Sequence, residues 1–190
     1  MVWFVRHAQS VWNEAGLVQG QSEAPGLTDA GRAQAAQLAE QLADCGAGVV
    51  MSSDLRRAME TAQPIAHRLS VPLVADRTLR ERALGDAEGR PVELLTPAVS
   101  GHDWKTVVDP DARPAGGESM RELYERVALR LGEFRRSPHA AAMVVVTHGG
   151  FLRTAKACLD GTPVASMVWP DQPNASVWRV DFGAVSQIGG

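Results

Sequence analysis

Three apolar runs, residues 2–5, 49–51 and 142–146, constrain the fold of this chain more than any other feature. Each is too short for a stable helix, and each ends abruptly: the first at Arg6 and His7, the second at Ser52 and Ser53, the third at Thr147, His148 and Gly149. The third contains three consecutive Val, as suits a strand buried on both faces of a parallel sheet. Amphipathic stretches separate the runs. Residues 28–43 open on a capping Thr28 and place Ala35, Leu38, Ala39 and Leu42 at helical spacing. Asp54 is placed to cap a helix running to residue 69, and residues 118–135 and 150–159 read as two further helices. A short strand at 72–74 and a last one at 176–182, where Val177, Trp178, Val180 and Phe182 are β-formers, complete the order.

Strands alternating with helices predict an α/β fold, a three-layer sandwich with a mostly parallel central sheet flanked by helices. The Gly- and Pro-rich stretch at about 86–115 buries little surface of its own. It is expected to form a small loop-rich cap over the strand ends, within one domain spanning 1–190, and to bring His102, Trp104, Lys105 or Arg113 toward a substrate.

With 45% hydrophobic residues the chain can fill one substantial core. Its 22 acidic and 19 basic residues leave a formal charge of -3, which supplies no field for nucleic acid or an anionic membrane. A small-molecule partner is therefore expected. No segment approaches the roughly 18 apolar residues that span a bilayer, and no leader-like pattern is present. Cys45 and Cys158 belong to no metal or disulfide pattern and read as free thiols, so a cytoplasmic location is expected. No apolar stripe can be assigned to an interface before the core is known, so the oligomeric state is left open.

In an open α/β sheet, ligands bind beyond the carboxyl ends of the strands. Two of the runs lead directly into His7 and His148 there, with Arg6 beside one, and Arg56 and Arg57 about one turn into the helix after Ser53. Gly149 and Gly150 precede a helix, so free backbone N–H groups there favour an anion. Guanidinium groups match a phosphoryl group bidentately, and a neutral histidine serves as nucleophile or proton carrier. The residues describe a phosphate pocket. Taken singly, a histidine at a strand end is ordinarily a satisfied polar residue, and so His67, His102 and His139 are read; Trp3, Trp12, Trp169 and Trp178 read as packing residues.

The ordered motifs resemble the histidine phosphatase superfamily, also called the phosphoglycerate mutase-like family. Arg6-His7-Ala8-Gln9-Ser10-Val11-Trp12-Asn13 is similar to its RHG or RHA signature; Leu27-Thr28 with Gly31 and Gln34 to its LTxxGxxQA start. Ser53-Asp54-Leu55-Arg56-Arg57-Ala58 with Thr61-Ala62, Leu79-Arg80-Glu81 with Gly85, Glu88 and Gly89, Gly117-Glu118-Ser119, and Val146-Thr147-His148-Gly149-Gly150 follow in the family's order. The resemblance implies that His7 accepts the phosphoryl group, that Arg6, Asn13, Arg57, His148 and Gly149 surround it, and that Glu81 is the general acid. It implies neither metal nor cofactor. Arg57 is preferred to Arg56 because the family's arginine directly precedes the alanine. Gln9 departs from the glutamate common in the family and would remove a negative charge near the phosphate, while Leu84 makes the substrate side less polar.

The expected function is metal-independent hydrolysis of a small phosphomonoester through phosphohistidine. A phosphoglycerate mutase is the nearest alternative. Against it, Glu81-Arg82-Ala83-Leu84-Gly85 replaces the mutases' ERHYG, and the connection before the Gly117-Glu118-Ser119 block is short. A phosphatase of a phosphorylated protein fits less well because both cap and acid are present. A binding module that does not turn its ligand over also fits less well, because binding alone needs neither nucleophile nor acid, whereas the His7, Arg57, Glu81 and His148 set is intact.

Overall fold

A computed structural model describes residues 1–96, 100–101, 106–136 and 142–182. The apolar runs form strands, each reaching one residue further at its carboxyl end: β1 (Val2–Arg6), β2 (Val49–Ser52) and, after β3 (Leu73–Ala75), β4 (Met143–Thr147). β5 (Val177–Val180) ends the described sheet, whose order is β3-β2-β4-β1-β5. β1 to β4 run parallel to one another, and β5 is antiparallel to β1.

Side chains alternate across the sheet, and both faces are covered. Phe4, Met143 and Val145 pack under α4 (Met120–Arg136) and α5 (Gly149–Leu159), meeting Leu123, Val127, Phe151 and Leu152. Val5, Val144 and Val146 pack under α2 (Asp29–Gln41) and α3 (Arg56–Leu69), meeting Leu38, Leu42, Ala58 and Ile65. This is the expected three-layer arrangement. No described helix is long and apolar enough to cross a membrane.

The caps differ from the sequence reading. Thr28 caps α2 by accepting the Gly31 N–H. Asp54 does not cap α3, which begins after Leu55 without a side-chain cap. It is bound instead by Arg80 through two hydrogen bonds of 2.6 and 2.7 Å, a charge-assisted pair stronger than a neutral cap bond. Glu118 likewise lies before α4 rather than in it. An unanticipated four-residue helix, α1 (Val11–Glu14), follows His7, closed by a reciprocal box between Ser10 and Asn13.

Candidate active site

β1 and β4 pair Arg6 with Thr147, so the next residues, His7 and His148, emerge side by side at the carboxyl edge. Their ring centroids lie 5.1 Å apart, inclined by 59°. Both are buried. His7 Nδ1 lies 2.8 Å from the Ala8 carbonyl oxygen. A carbonyl only accepts, so Nδ1 carries the proton and Nε2 keeps its lone pair on a ring that lines a cleft of about 200 Å³. His148 caps no amide with its side chain, and neither ring nitrogen has a hydrogen-bond partner among the described residues. Leaving a buried polar group unpaired costs about 1–3 kcal/mol, so His148 is suited to receive a ligand oxygen.

Burial, reinforced by Arg57 and then Arg6, holds the His7 pKa well below its ordinary value. For His148, burial is again the first cause, followed by Arg57, His7 and Arg6. Both rings are thus neutral near pH 7. Between the native pKa values and the unfolded value of about 6.5, the unfolded chain binds more protons than the native one. Stability is therefore expected to fall as pH drops below about 6.5, by up to about 1.4 kcal/mol per pH unit for each histidine. Urea unfolding across that range measures the slope, and a folded His148→Gln variant should show it reduced by about one proton.

Guanidinium groups surround the rings. Arg57, in the first turn of α3, is 1% exposed, and its Nη atoms donate to the Ser22 and Gly20 carbonyls at 3.0 and 2.8 Å. Burial, opposed by Glu81 and Glu88, brings its pKa down to about 10. Arg6 donates to the Gln172 carbonyl, and its pKa is lowered by burial and then by Arg153. Asn13 Oδ1 accepts from the Ser10 N–H, Ser10 Oγ and Asn174 Nδ2 at 3.1, 3.0 and 3.2 Å. The amide therefore presents its NH₂ to the cleft it lines.

Glu81 lines the same cleft from the far side of the chain. Its Oε1 accepts from the Arg82 N–H at 2.8 Å and its Oε2 from the Gly150 N–H at 2.9 Å. Arg126 holds the backbone that carries it, donating to the carbonyls of Thr78, Arg80 and Glu81 while gripping both Glu118 oxygens. Thr147 Oγ1 adds a bond to the Leu79 carbonyl at 2.7 Å. Of the two amides expected to be free, Gly150 is committed to Glu81, and the Gly149 N–H has no acceptor among the described residues.

A Cβ on Gly150 would fall 2.2 Å from Glu81 Oε1, and the flexible carboxylate would swing away before the helix moved. Gly150→Ala is therefore expected to lower kcat/KM for a phosphomonoester at least about tenfold, since roughly 1 Å of misplacement is costly in a reacting constellation. Unfolding free energy should stay within about 1 kcal/mol, because alanine favours the helix. Turnover and urea denaturation of the same preparation check both halves.

His7, Arg6, Asn13, Arg57, Glu81 and Gly149 all line this cleft, and His148 lies buried beside His7. Other expectations separate from it. Gln9 accepts from Thr28 Oγ1 at 2.8 Å, placing its amide at the start of α2 rather than on the cleft wall. Ser53 is structural, its N–H bonded to Val146 and its Oγ to the Leu55 N–H. Arg56 is exposed and pairs with Glu60 at 2.7 Å. Arg113 pairs with Glu122 and lines a neighbouring cleft with Arg90. His102, Trp104, Lys105 and His139 lie outside the described residues.

Several contributors were not read from the sequence. Arg82 lines the cleft but donates to the carbonyls of Glu118, Ser100 and Ala112, pinning three parts of the long connection. Arg153 and Trp169 also line it. One helical turn from Gly149 to Arg153 was the available signal for that arginine. Asn174 donates to the His7 carbonyl at 3.0 Å as well as to Asn13, and no sequence signal marked it. Leu17, Val18, Leu84, Val92 and Leu95 give the cleft its apolar wall.

Fold and site define a doubly wound α/β protein with arginines and two histidines gathered at the carboxyl edge of its sheet. The profile of the histidine phosphatase superfamily (branch 1) matches residues 2–187, and the chain belongs to that superfamily as an enzyme of the histidine phosphatase type. It is 34% identical to the probable phosphoglycerate mutase GpmB of Salmonella paratyphi C, across 95% of this chain and 84% of that protein. Among solved structures, a mycobacterial glucosyl-3-phosphoglycerate phosphatase complexed with VO3 is 31% identical with a TM-score of 0.80, covering 93% of this chain and 88% of that one. A phosphoserine phosphatase mutant from Entamoeba histolytica, complexed with phosphoserine, is 25% identical with a TM-score of 0.78, covering 93% and 87%.

Proposed function

We propose that this enzyme hydrolyses a small phosphorylated metabolite through a phosphohistidine on His7, without a metal. The observation that carries the reading is the His7 ring: bound through Nδ1 to the Ala8 carbonyl, it keeps Nε2 as a neutral nucleophile at the cleft. Nε2 attacks phosphorus as the ester oxygen leaves. Arg6, Arg57, His148, Asn13 and the Gly149 N–H take up charge on the equatorial oxygens, stabilisation supplied here by fixed donors. Glu81 protonates the leaving oxygen, then as a carboxylate draws a proton from the water that cleaves phosphohistidine. The 86–115 connection serves as the cap of a single 1–190 domain; Val92 and Leu95 from it already line the cleft. Free Cys45 and Cys158 suit a reducing cytoplasm.

The purified protein should release p-nitrophenol from p-nitrophenyl phosphate in EDTA, and quenched turnover should trap an acid-labile phosphoprotein. Absence of turnover in EDTA, or of a labelled protein, would count against it. Phosphoglycerate mutase is the second reading, favoured by the names of the Salmonella relatives. Incubation with 3-phosphoglycerate separates the two: the proposed phosphatase releases inorganic phosphate, a mutase returns the isomer.

A further inference from the structure

The reaction proposed above uses two guanidinium groups, and the cleft holds a third with donors to offer. Arg153 lies one turn into α5 and is half-buried in the cleft wall. Its Nε donates to the Pro170 carbonyl at 2.7 Å, and its guanidinium carbon sits 5.2 Å from the centre of the Trp169 ring. These two contacts fix the guanidinium plane. Neither Nη atom has an acceptor among the described residues. Arg82, which also lines the cleft, has Nε and both Nη atoms bound to backbone carbonyls.

Burial lowers the pKa of Arg153, and a second guanidinium stands close by. A Cβ built on Gly149 would lie 2.9 Å from Arg153 Nη1 and 3.6 Å from Arg6 Cζ, so two cations flank one glycine. Arg153 disfavours the charge on Arg6, and an anion entering between or beside the two offsets that loss. Among carboxylates, Glu81 acts on Arg153 most strongly, followed by Asp171. Glu81 acts on Arg6, Arg57 and Arg82 as well; what Arg153 adds is a pair of Nη donors beside Gly149 with no acceptor among the described residues. Leu17, Val18, Leu84, Val92 and Leu95 supply an apolar stretch of the wall.

We propose that Arg153 is a specificity-determining residue whose paired Nη donors bind a carboxylate carried by the alcohol portion of the substrate, a few bonds from the ester oxygen. A planar, immobilised guanidinium matches a carboxylate bidentately, and the apolar wall takes the carbon skeleton. The inference rests on the phosphohistidine reading for the position of the phosphoryl group.

Three probes of similar size separate charge from shape: ethyl phosphate, phosphoglycolate and phosphoethanolamine. The wild-type enzyme should favour phosphoglycolate in kcat/KM. Arg153→Met, which keeps an apolar stem on Trp169, should lose about 10- to 100-fold on phosphoglycolate and less than about threefold on ethyl phosphate, the scale of one charged hydrogen-bond pair. Arg153→Glu should shift the preference to phosphoethanolamine. Equal losses on all three esters would overturn the proposal by placing Arg153 on the phosphoryl group or in the fold, and so would a wild-type enzyme indifferent to the carboxylate. Calorimetric binding of phosphoglycolate and ethyl phosphate to His7→Ala and to His7→Ala/Arg153→Met reads the carboxylate contact without turnover. If no ester is hydrolysed, the His7 reading falls, while the binding difference still decides the role of Arg153.

Discussion

His7→Ala is expected to lower kcat on p-nitrophenyl phosphate by on the order of 10⁴-fold or more, the scale seen when a covalent nucleophile is removed. The substitution deletes the atom that forms the new bond to phosphorus but leaves Arg57, Arg6 and His148 in place. Inorganic phosphate should therefore still bind the variant, and its binding can be measured by calorimetry. Loss of a buried neutral ring also removes one of the two histidines that take up a proton on unfolding and so make the fold acid-sensitive. The variant should lose less stability than wild type as pH falls below about 6.5. Activity within about tenfold of wild type would mean that the phosphoryl group never visits His7.

Glu81→Gln should give the second large effect, and its size should depend on the leaving group. An alkyl phosphate needs its departing oxygen protonated, so kcat/KM should fall by about 10²- to 10⁴-fold. p-Nitrophenolate leaves without a proton, so phosphorylation of His7 should survive. Hydrolysis of the phosphohistidine then lacks its base. Rapid mixing should show a burst of about one equivalent of p-nitrophenol followed by slow turnover. A uniform loss on both substrates, without a burst, would assign Glu81 to positioning instead. The geometry supports the chemical role: the carboxylate is held by the Arg82 and Gly150 amides, with Arg126 fixing the chain behind it.

These two residues were legible to different degrees. His7 and His148 follow short apolar runs, and a parallel sheet places such positions together. The register Arg6–Thr147 then makes them neighbours, a pairing that depends on β4 inserting between β1 and β2. Glu81 carries no such mark. It follows a three-residue strand and a turn, and reaches the site only because Arg126, Thr147 and Gln21 bind its segment from elements distant in the chain. Its role rested on the resemblance of the motif around it.

Asp54 and Gln9 show where local reasoning failed. Asp54 has the chemistry and position of a helix cap, yet a guanidinium from residue 80 offers two charged hydrogen bonds in place of one to an amide. Gln9 lies in the motif that bears the nucleophile, but the tight contact between Gly31 and the Gln9 carbonyl draws that residue to the start of α2.

Periodicity and the punctuation of short apolar runs determined, from sequence alone, the α/β layers, the strands and the edge at which histidines and arginines gather. Those signals are local: they depend on which side chains a strand or helix must bury. Only the tertiary structure decided which donors remain available at that edge. Arg82 is consumed by three carbonyls, Gly150 by Glu81 and Arg113 by Glu122, whereas Arg153 is held by one carbonyl and one ring, with both Nη atoms left over among the described residues. Hydrogen-bond partners in a site are contributed by segments far apart in the chain, so their allocation is settled only when the segments meet.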